Sequence, residues 1–203
     1  AALERLLDDP SPVVRQAVAA QVKAAGTAGI LWLEKLAAKA ELAPHAHSLL
    51  ADLRTVEASA QTFLTYLSSG PIDLEEACLL LERVATPSLP PSAYAAELDR
   101  LAARTRELIA EPLDLRAKCR LLCRVLFGEE GYRGAQESFS APASSLLSQV
   151  ISTRRGIPIS LAVIWLELAQ GIGLQAKGVS FPGHFLIKVP LPAGQAVIDP
   201  MNG

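Results

Sequence analysis

The stretch RRGIPISLAVI, residues 154–164, decides how the second half of this 203-residue chain folds. Gly and Pro punctuate its beginning, and the apolar run beyond Ser160 is long enough to form a helix that Gly171 ends. The pattern predicts a helix from about residue 160 to residue 170. The preceding segment, from Gly128 onward, is rich in Gly and Ser and predicts a long irregular connection.

Strand-like stretches follow this helix and predict an antiparallel sheet. They cover residues 175–181, 185–189 and 196–199, with the turn-forming run PLPAG between the last two. If that turn centres between Leu191 and Pro192, Val189 pairs with Gly194. Helices followed by paired strands are typical of one fold class, so we predict an α+β protein with a mostly helical first half.

The first half of the chain reads as successive amphipathic helices. We predict helices over residues 1–54 and again over 55–127, followed by loop, helix and strands over 128–203. The string LLDDPSPVVR, residues 6–15, resembles the turn between the two helices of a HEAT repeat, and a plain helical hairpin is the alternative. We expect residues 1 to about 54 to form antiparallel helix pairs that pack against the rest of the chain. The side chains expected to face inward are Leu3, Val14, Val18, Leu33 and Leu36.

Charge and composition exclude several classes of protein. Lys and Arg number 19 against 21 Asp and Glu, so the basic excess of a nucleic-acid-binding protein is absent and we expect no nucleic-acid partner. The richest apolar window, residues 159–169, contains Ser160 and Glu167 and is too short to span a bilayer, so we expect no membrane association. No secretory signal is visible and the 3 cysteines are an odd number, which predicts a cytoplasmic protein.

Cys119 and Cys123 lie four residues apart on one predicted helix and could offer two thiolates to a metal ion. No second Cys or His pair lies nearby in sequence, so burial as small apolar side chains is the favoured interpretation. We therefore predict neither a metal nor a cofactor.

Ser160, His184 and Asp199 form the one set of residues with the chemistry of a catalytic site. Ser160 lies at or beside a helix N-terminus, where free N–H groups favour developing negative charge. The hairpin register above would place His184 directly opposite Asp199, hydrogen-bonded to it, so that the carboxylate orients an imidazole base. Each residue also has a structural interpretation: Ser160 as a helix N-cap, Asp199 as a turn residue before Pro200, and His184 as a half-buried strand residue.

Residues 154–161, the string GVSFPGHFL at 178–186 and the string IDPMNG at 198–203 closely resemble the bacterial SirB-type branch of the transglutaminase-like superfamily. The likeness reaches upstream to about residue 57, which makes 55–203 a transglutaminase-like domain. The resemblance implies a papain-like plan, in which a Cys at a helix N-terminus faces a His and an Asp on adjacent strands. By position, His184 and Asp199 match the base and its orienter, and Ser160 takes the place of the Cys. The residues that the resemblance places in supporting roles are Ser144, Pro158, Gly183 and Asn202.

Two functions remain open at this point. In the first, the protein is a hydrolase or acyl transferase that acts on amide or ester bonds of proteins or peptides through a Ser-His-Asp triad. In the second, it is a catalytically inactive relative that binds a protein partner through its cleft and its N-terminal helices. Both functions predict that the partner is a protein or a peptide.

Overall fold

The structure is a computed structural model, and it describes residues 3–39, 42–109, 113–137, 139–182 and 184–202. Eight α-helices and five short strands are formed by this part of the chain. The helices are α1 (Pro12–Ala24), α2 (Thr27–Ala37), α3 (Ala43–Ser68), α4 (Leu74–Ala85), α5 (Pro91–Glu107), α6 (Leu115–Cys123), α7 (Leu147–Thr153) and α8 (Pro158–Gly171). The strands are β1 (Arg133–Gly134), β2 (Arg155–Gly156), β3 (Lys177–Phe181), β4 (His184–Leu191) and β5 (Gly194–Ile198).

The predicted α+β class is confirmed, with helices followed by a small antiparallel sheet. None of the helices in the described part of the chain combines the length and apolar character needed to cross a bilayer. The predicted helix at 160–170 begins two residues earlier, at Pro158, because proline favours the first position of a helix, where its missing N–H has no partner to lose.

The chain divides into two compact units, and the division passes through α3. The first unit comprises Ala1–Leu64 with Arg83–Pro87, and the second comprises Thr65–Glu82 with Ser88–Gly203. The core of the first unit consists of Leu7, Val18, Val22, Leu33, Leu36, Ala46 and Leu50. Helices α1 and α2 approach closely at Gly29, where an added Cβ would lie 2.2 Å from the carbonyl oxygen of Val22.

Three of the five inward positions predicted for the N-terminal segment are confirmed, since Val18, Leu33 and Leu36 are all buried. Val14 is half-buried. The prediction for Leu3 is wrong, because its side chain is 40 % exposed. Leu3 lies in a single 3₁₀ turn, Leu3–Leu6, and so short a turn buries none of its residues.

Helix α8 is the centre of the second unit. Its sequence is apolar around the whole circumference, which is typical of a helix enclosed by other elements. Leu161, Ala162, Ile164, Trp165 and Ala169 are completely buried. Helices α5, α6 and α7 and the sheet pack around it, and the sheet contributes Ile187, Val189 and Ile198 to the same core.

The sheet has the order β3-β4-β5, with both neighbouring pairs antiparallel. The predicted hairpin register is wrong by two residues: Val189 pairs with Ala196, and Gly194 pairs with Leu191. The connection is therefore only Pro192 and Ala193. This tighter turn forms because proline suits the first central position of a β-turn, and because Gly194 adopts the positive φ of 96° that other residues avoid.

A buried carboxylate holds the beginning of α7. Glu82 of α4 is 6 % exposed, and the backbone N–H of Ser148 donates to its two oxygens at 3.1 and 3.3 Å. Ser148 is the second residue of α7, whose first N–H groups have no acceptor within the helix. The Glu82 carboxylate supplies that acceptor, and its negative charge interacts favourably with the positive end of the helix dipole.

We predict that Glu82→Ala lowers the free energy of unfolding by about 1–3 kcal/mol, because it leaves the Ser148 N–H buried without an acceptor. Glu82→Gln keeps an acceptor oxygen, so it is expected to lower the free energy of unfolding by less. Urea denaturation measures both variants, with Glu107→Ala at the exposed end of α5 as the matched control. Equal stabilities for Glu82→Ala and the control would contradict the role given to this carboxylate.

Candidate active site

The first turn of α8 carries Ser160, as the sequence predicts. Ile157 is the N-cap and Pro158 the first helical residue, so Ser160 is the third helical residue and not the N-cap. Its side chain is 5 % exposed. The Ser160 hydroxyl lies 2.9 Å from the carbonyl oxygen of Ser144 and 3.0 Å from that of Ile157, and it donates to these carbonyls.

Ser144 joins the irregular segment to α8 through its backbone. Its carbonyl oxygen accepts from the N–H of Ile157 at 3.0 Å as well as from the Ser160 hydroxyl. Ser144 ends a short 3₁₀ turn, Pro142–Ser144, and is itself buried. A hydroxyl has one proton, and here it is directed at backbone carbonyls, which cannot act as general bases.

Close packing at Gly156 fixes the Ser160 hydroxyl in this position. A Cβ added at Gly156 would lie 2.7 Å from Ser160 Oγ and 2.8 Å from Val150 Cγ1. Only glycine therefore fits between α7 and the first turn of α8.

Arg154 holds the chain just before Gly156. It adopts a φ of 60°, which is uncommon for a residue with a side chain. Its guanidinium donates to Tyr132 Oη, to the carbonyl oxygen of Ile151 and, at 2.7 Å, to Glu97 Oε1. The guanidinium carbon lies 4.7 Å from the centroid of the Tyr132 ring, within the range of a cation–π contact. These contacts compensate for the unfavourable backbone conformation and fix the approach to α8.

His184 is the first residue of β4 and is exposed. The alternation along β4 directs Ile187 and Val189 into the core beside α8, and so places His184 on the other face of the sheet. The expected hydrogen bond between His184 and Asp199 is not among those formed in the described part of the chain.

Asp199 follows β5 directly and is engaged by its own turn. Its Oδ1 accepts from the N–H of Met201 at 2.9 Å, and its Oδ2 accepts from Asn202 Nδ2 at 2.7 Å. Continued by one pair, the observed register brings Asp199 beside Leu186, so His184 is a diagonal neighbour on the same face. The expectation that His184 lies directly opposite Asp199 is therefore corrected, and the two-residue turn is the reason.

Apart from His184, the predicted site residues that the structure describes lie in two groups. Ser144, Pro158 and Ser160 lie together at the start of α8, and Asp199 lies with Asn202 after β5. The predicted supporting residue Gly183 lies outside the described residues. Cys119 and Cys123 are free, and no group of three potential metal ligands is present among the residues that the structure describes.

Glu167, which interrupts the apolar window of residues 159–169, is a further candidate for a functional residue. It lies on α8 and, with Asp73, lines a groove of about 870 Å³. Burial, followed by the nearby carboxylates of Asp73 and Glu75, raises the pKa of Glu167 to about 7. The signal was present in the sequence, because a carboxylate on a helix that is apolar all round is unusual.

Comparison with known proteins identifies similar sequences. The transglutaminase-like superfamily matches residues 92–203. A UPF0162 protein of Xylella fastidiosa is 38 % identical over 144 residues, which are 69 % of this chain and 50 % of that protein. A UPF0162 protein of Pseudomonas aeruginosa is 31 % identical over 143 residues, 70 % of this chain and 52 % of its own length.

A more distant likeness is to F-box only protein 21 of Mus musculus, 31 % identical over 75 residues, which are 37 % of this chain and 12 % of that protein. The chain spans about half the length of the UPF0162 relatives described above. No solved structure matches it.

We predict that Gly156→Ala lowers the free energy of unfolding by about 1–3 kcal/mol, because the added methyl group overpacks Ser160 and Val150. Gly128→Ala is the matched control: there the nearest atom to an added Cβ is Arg124 Cγ at 3.9 Å. Thermal unfolding of both variants measures the difference. A Gly156→Ala variant as stable as the control would show that the first turn of α8 is loosely packed.

We also predict that Glu167→Gln stabilises the protein more at about pH 8 than at about pH 5. The raised pKa means that the folded protein binds a proton more tightly than the unfolded chain does. Stability from this group is therefore present below the ordinary glutamate pKa and is lost as the pH rises through about 7. After a discount for solvent screening the effect is about 1–2 kcal/mol. Melting temperatures across this range provide the measurement, and a pH-independent difference would contradict it.

Proposed function

The chain belongs to the transglutaminase-like superfamily, and we propose that it is a noncatalytic member that binds a protein partner. One observation carries the proposal: the Ser160 hydroxyl is buried and donates to two backbone carbonyls. A serine nucleophile must pass its proton to a base in the transition state. Ser160 instead stabilises the junction between the 3₁₀ turn and α8.

The other two residues support the same proposal. The face of the sheet that carries His184 is the one turned away from α8, and the Asp199 carboxylate accepts from Met201 and Asn202. The side chains of Ser160 and Asp199 thus serve local structure in this proposal. We propose that the chain belongs to the SirB-type branch, on the motifs at 154–161, 178–186 and 198–203.

The proposal extends to domain organisation and location. Residues 1–54 are proposed to be a HEAT-like helical segment, and residues 55–203 the transglutaminase-like domain. Cys78, Cys119 and Cys123 are all free, which supports a reducing, cytoplasmic compartment.

The catalytic alternative is a hydrolase or acyl transferase for amide or ester bonds in proteins or peptides. In it, Ser160 is the nucleophile, His184 the general base and Asp199 the residue that orients the base. The position of Ser160 in the first turn of α8 favours this alternative, because free N–H groups there could stabilise an oxyanion. It requires the Ser160 hydroxyl to leave its carbonyl acceptors and His184 to reach it.

Alkylation of Ser160→Cys distinguishes the two functions. We expect this thiol to react with iodoacetamide more slowly than the thiol of Ser145→Cys, an exposed position just outside the 3₁₀ turn. His184→Ala is expected to leave the rate of Ser160→Cys within about twofold, because the two side chains are not coupled. A serine-directed fluorophosphonate is expected to leave Ser160 of the wild-type protein unlabelled.

The opposite result would establish the catalytic alternative. At about pH 6 the Ser160→Cys thiol would then react at least about tenfold faster than the Ser145→Cys thiol, because a helix dipole and an imidazolium favour the thiolate. His184→Ala would abolish that advantage. Fluorophosphonate would label Ser160 only where His184 is present.

A further inference from the structure

A groove of about 870 Å³ lies beside Glu167 in the second unit. One wall is the second half of α8 and another is the segment 71–74 that leads into α4. The third wall is residues 173–178, which run into the beginning of β3. The groove lies away from the first turn of α8, so it is separate from Ser160.

Strand β3 brings an unpaired edge to this groove. It hydrogen-bonds to β4 on one side, and within the described residues no strand pairs with its other side. Lys177 is the one charged residue of the strand, and Phe181 at its end is 59 % exposed. An open edge of this kind presents backbone N–H and C=O groups that an extended peptide can satisfy.

The walls of the groove supply apolar contact and negative charge. Ile72 and Leu74, on the segment leading into α4, are 50 % and 44 % exposed. Asp73 lies between them, and Glu167 faces the groove from α8. Lys177 also lines the groove but forms no ion pair with either carboxylate in the described part of the chain.

Among the residues that the structure describes, none pairs as a cation with Asp73, Glu75 or Glu167. Burial and the neighbouring carboxylates raise the pKa of both Glu75 and Glu167. A positive side chain placed among them would lower the electrostatic energy of the ionised groups. Charge complementarity therefore favours a basic occupant over an acidic or neutral one.

We propose that this groove binds an extended, basic segment of a partner protein, which adds to β3 as a further strand and places Lys or Arg side chains beside Asp73 and Glu167. The proposal rests on the proposed function, a noncatalytic protein-binding role, and names the kind of partner. Main-chain hydrogen bonds to β3 provide affinity, and alternate side chains of the segment meet the carboxylates and the apolar wall formed by Ile72 and Leu74.

Selection from a library of short random peptides displayed on phage, with the 203-residue chain as bait, tests the proposal. We expect enriched peptides to alternate Lys or Arg with apolar residues. Their synthetic forms are expected to bind the double variant Asp73→Asn/Glu167→Gln about tenfold more weakly. These substitutions keep the shapes of the side chains, and Asn retains the capping of α4 that Asp73 provides through the N–H of Glu76 at 2.9 Å.

Two controls separate the site from general attraction of basic peptides. Glu107→Gln removes an exposed carboxylate from the end of α5 and is expected to leave the affinity unchanged. Peptides N-methylated at alternate backbone positions should lose binding, since they cannot pair with β3. Hydrogen exchange should show protection of the backbone amides of residues 176–179 in the complex.

Several results would overturn the proposal. They are enriched peptides without basic residues, equal affinity for the double variant, and binding by the N-methylated peptides. Self-association of the chain that the same double variant abolishes would assign the groove to a second copy and would also overturn it. The labelling of Ser160 tests the proposed function independently of the groove. Peptides whose affinity falls only with Asn202→Ala would overturn binding at the groove and would support a protein-binding role at a different surface.

Discussion

The enclosure of α8 is the constraint on which the second unit depends. An apolar helix exposes no face that water solvates well, so every neighbouring element must cover part of it. Trp165 and Leu161 are completely buried, and the sheet reaches the same core through Ile187. In the first turn of α8, Ile159 is 47 % exposed but Pro158 and Ser160 are buried, so the Ser160 hydroxyl lies where a polar group needs a hydrogen-bond acceptor. The carbonyl oxygen of Ser144 is that acceptor.

Much of this architecture could be predicted from the sequence, because it follows from short-range patterns. The apolar run after Ser160 predicts α8, and the turn residues around Gly194 predict a hairpin. The register could not be predicted from those patterns alone. A turn centred on Leu191 and Pro192 and the observed connection of Pro192 and Ala193 both suit the composition, and the backbone conformation of Gly194 decides between them.

The candidate site was predicted less well, because it depends on contacts between distant parts of the chain. Ser160 is hydrogen-bonded to a residue 16 positions earlier, and the irregular segment that carries Ser144 has no periodicity from which its path could be inferred. Extending the register of β4 and β5 by one pair makes Asp199 a diagonal neighbour of His184, whereas a register shifted by two residues would pair them directly. The motifs therefore indicated the transglutaminase-like superfamily correctly, but they did not determine how the site residues are arranged.

The two ends of α8 face different physical demands. At its first turn, Ser160 is 5 % exposed and its hydroxyl lies close to Gly156, so a substrate could reach the hydroxyl only after local repacking. Toward its other end, Glu167 stands at an open groove and keeps a pKa of about 7, because burial and like charges disfavour its ionised form. Opening a close-packed core costs free energy. A ligand of opposite charge, in contrast, stabilises an ionised group that has no partner. This contrast is the reason that we propose binding at the groove and not at the position that a nucleophile would occupy.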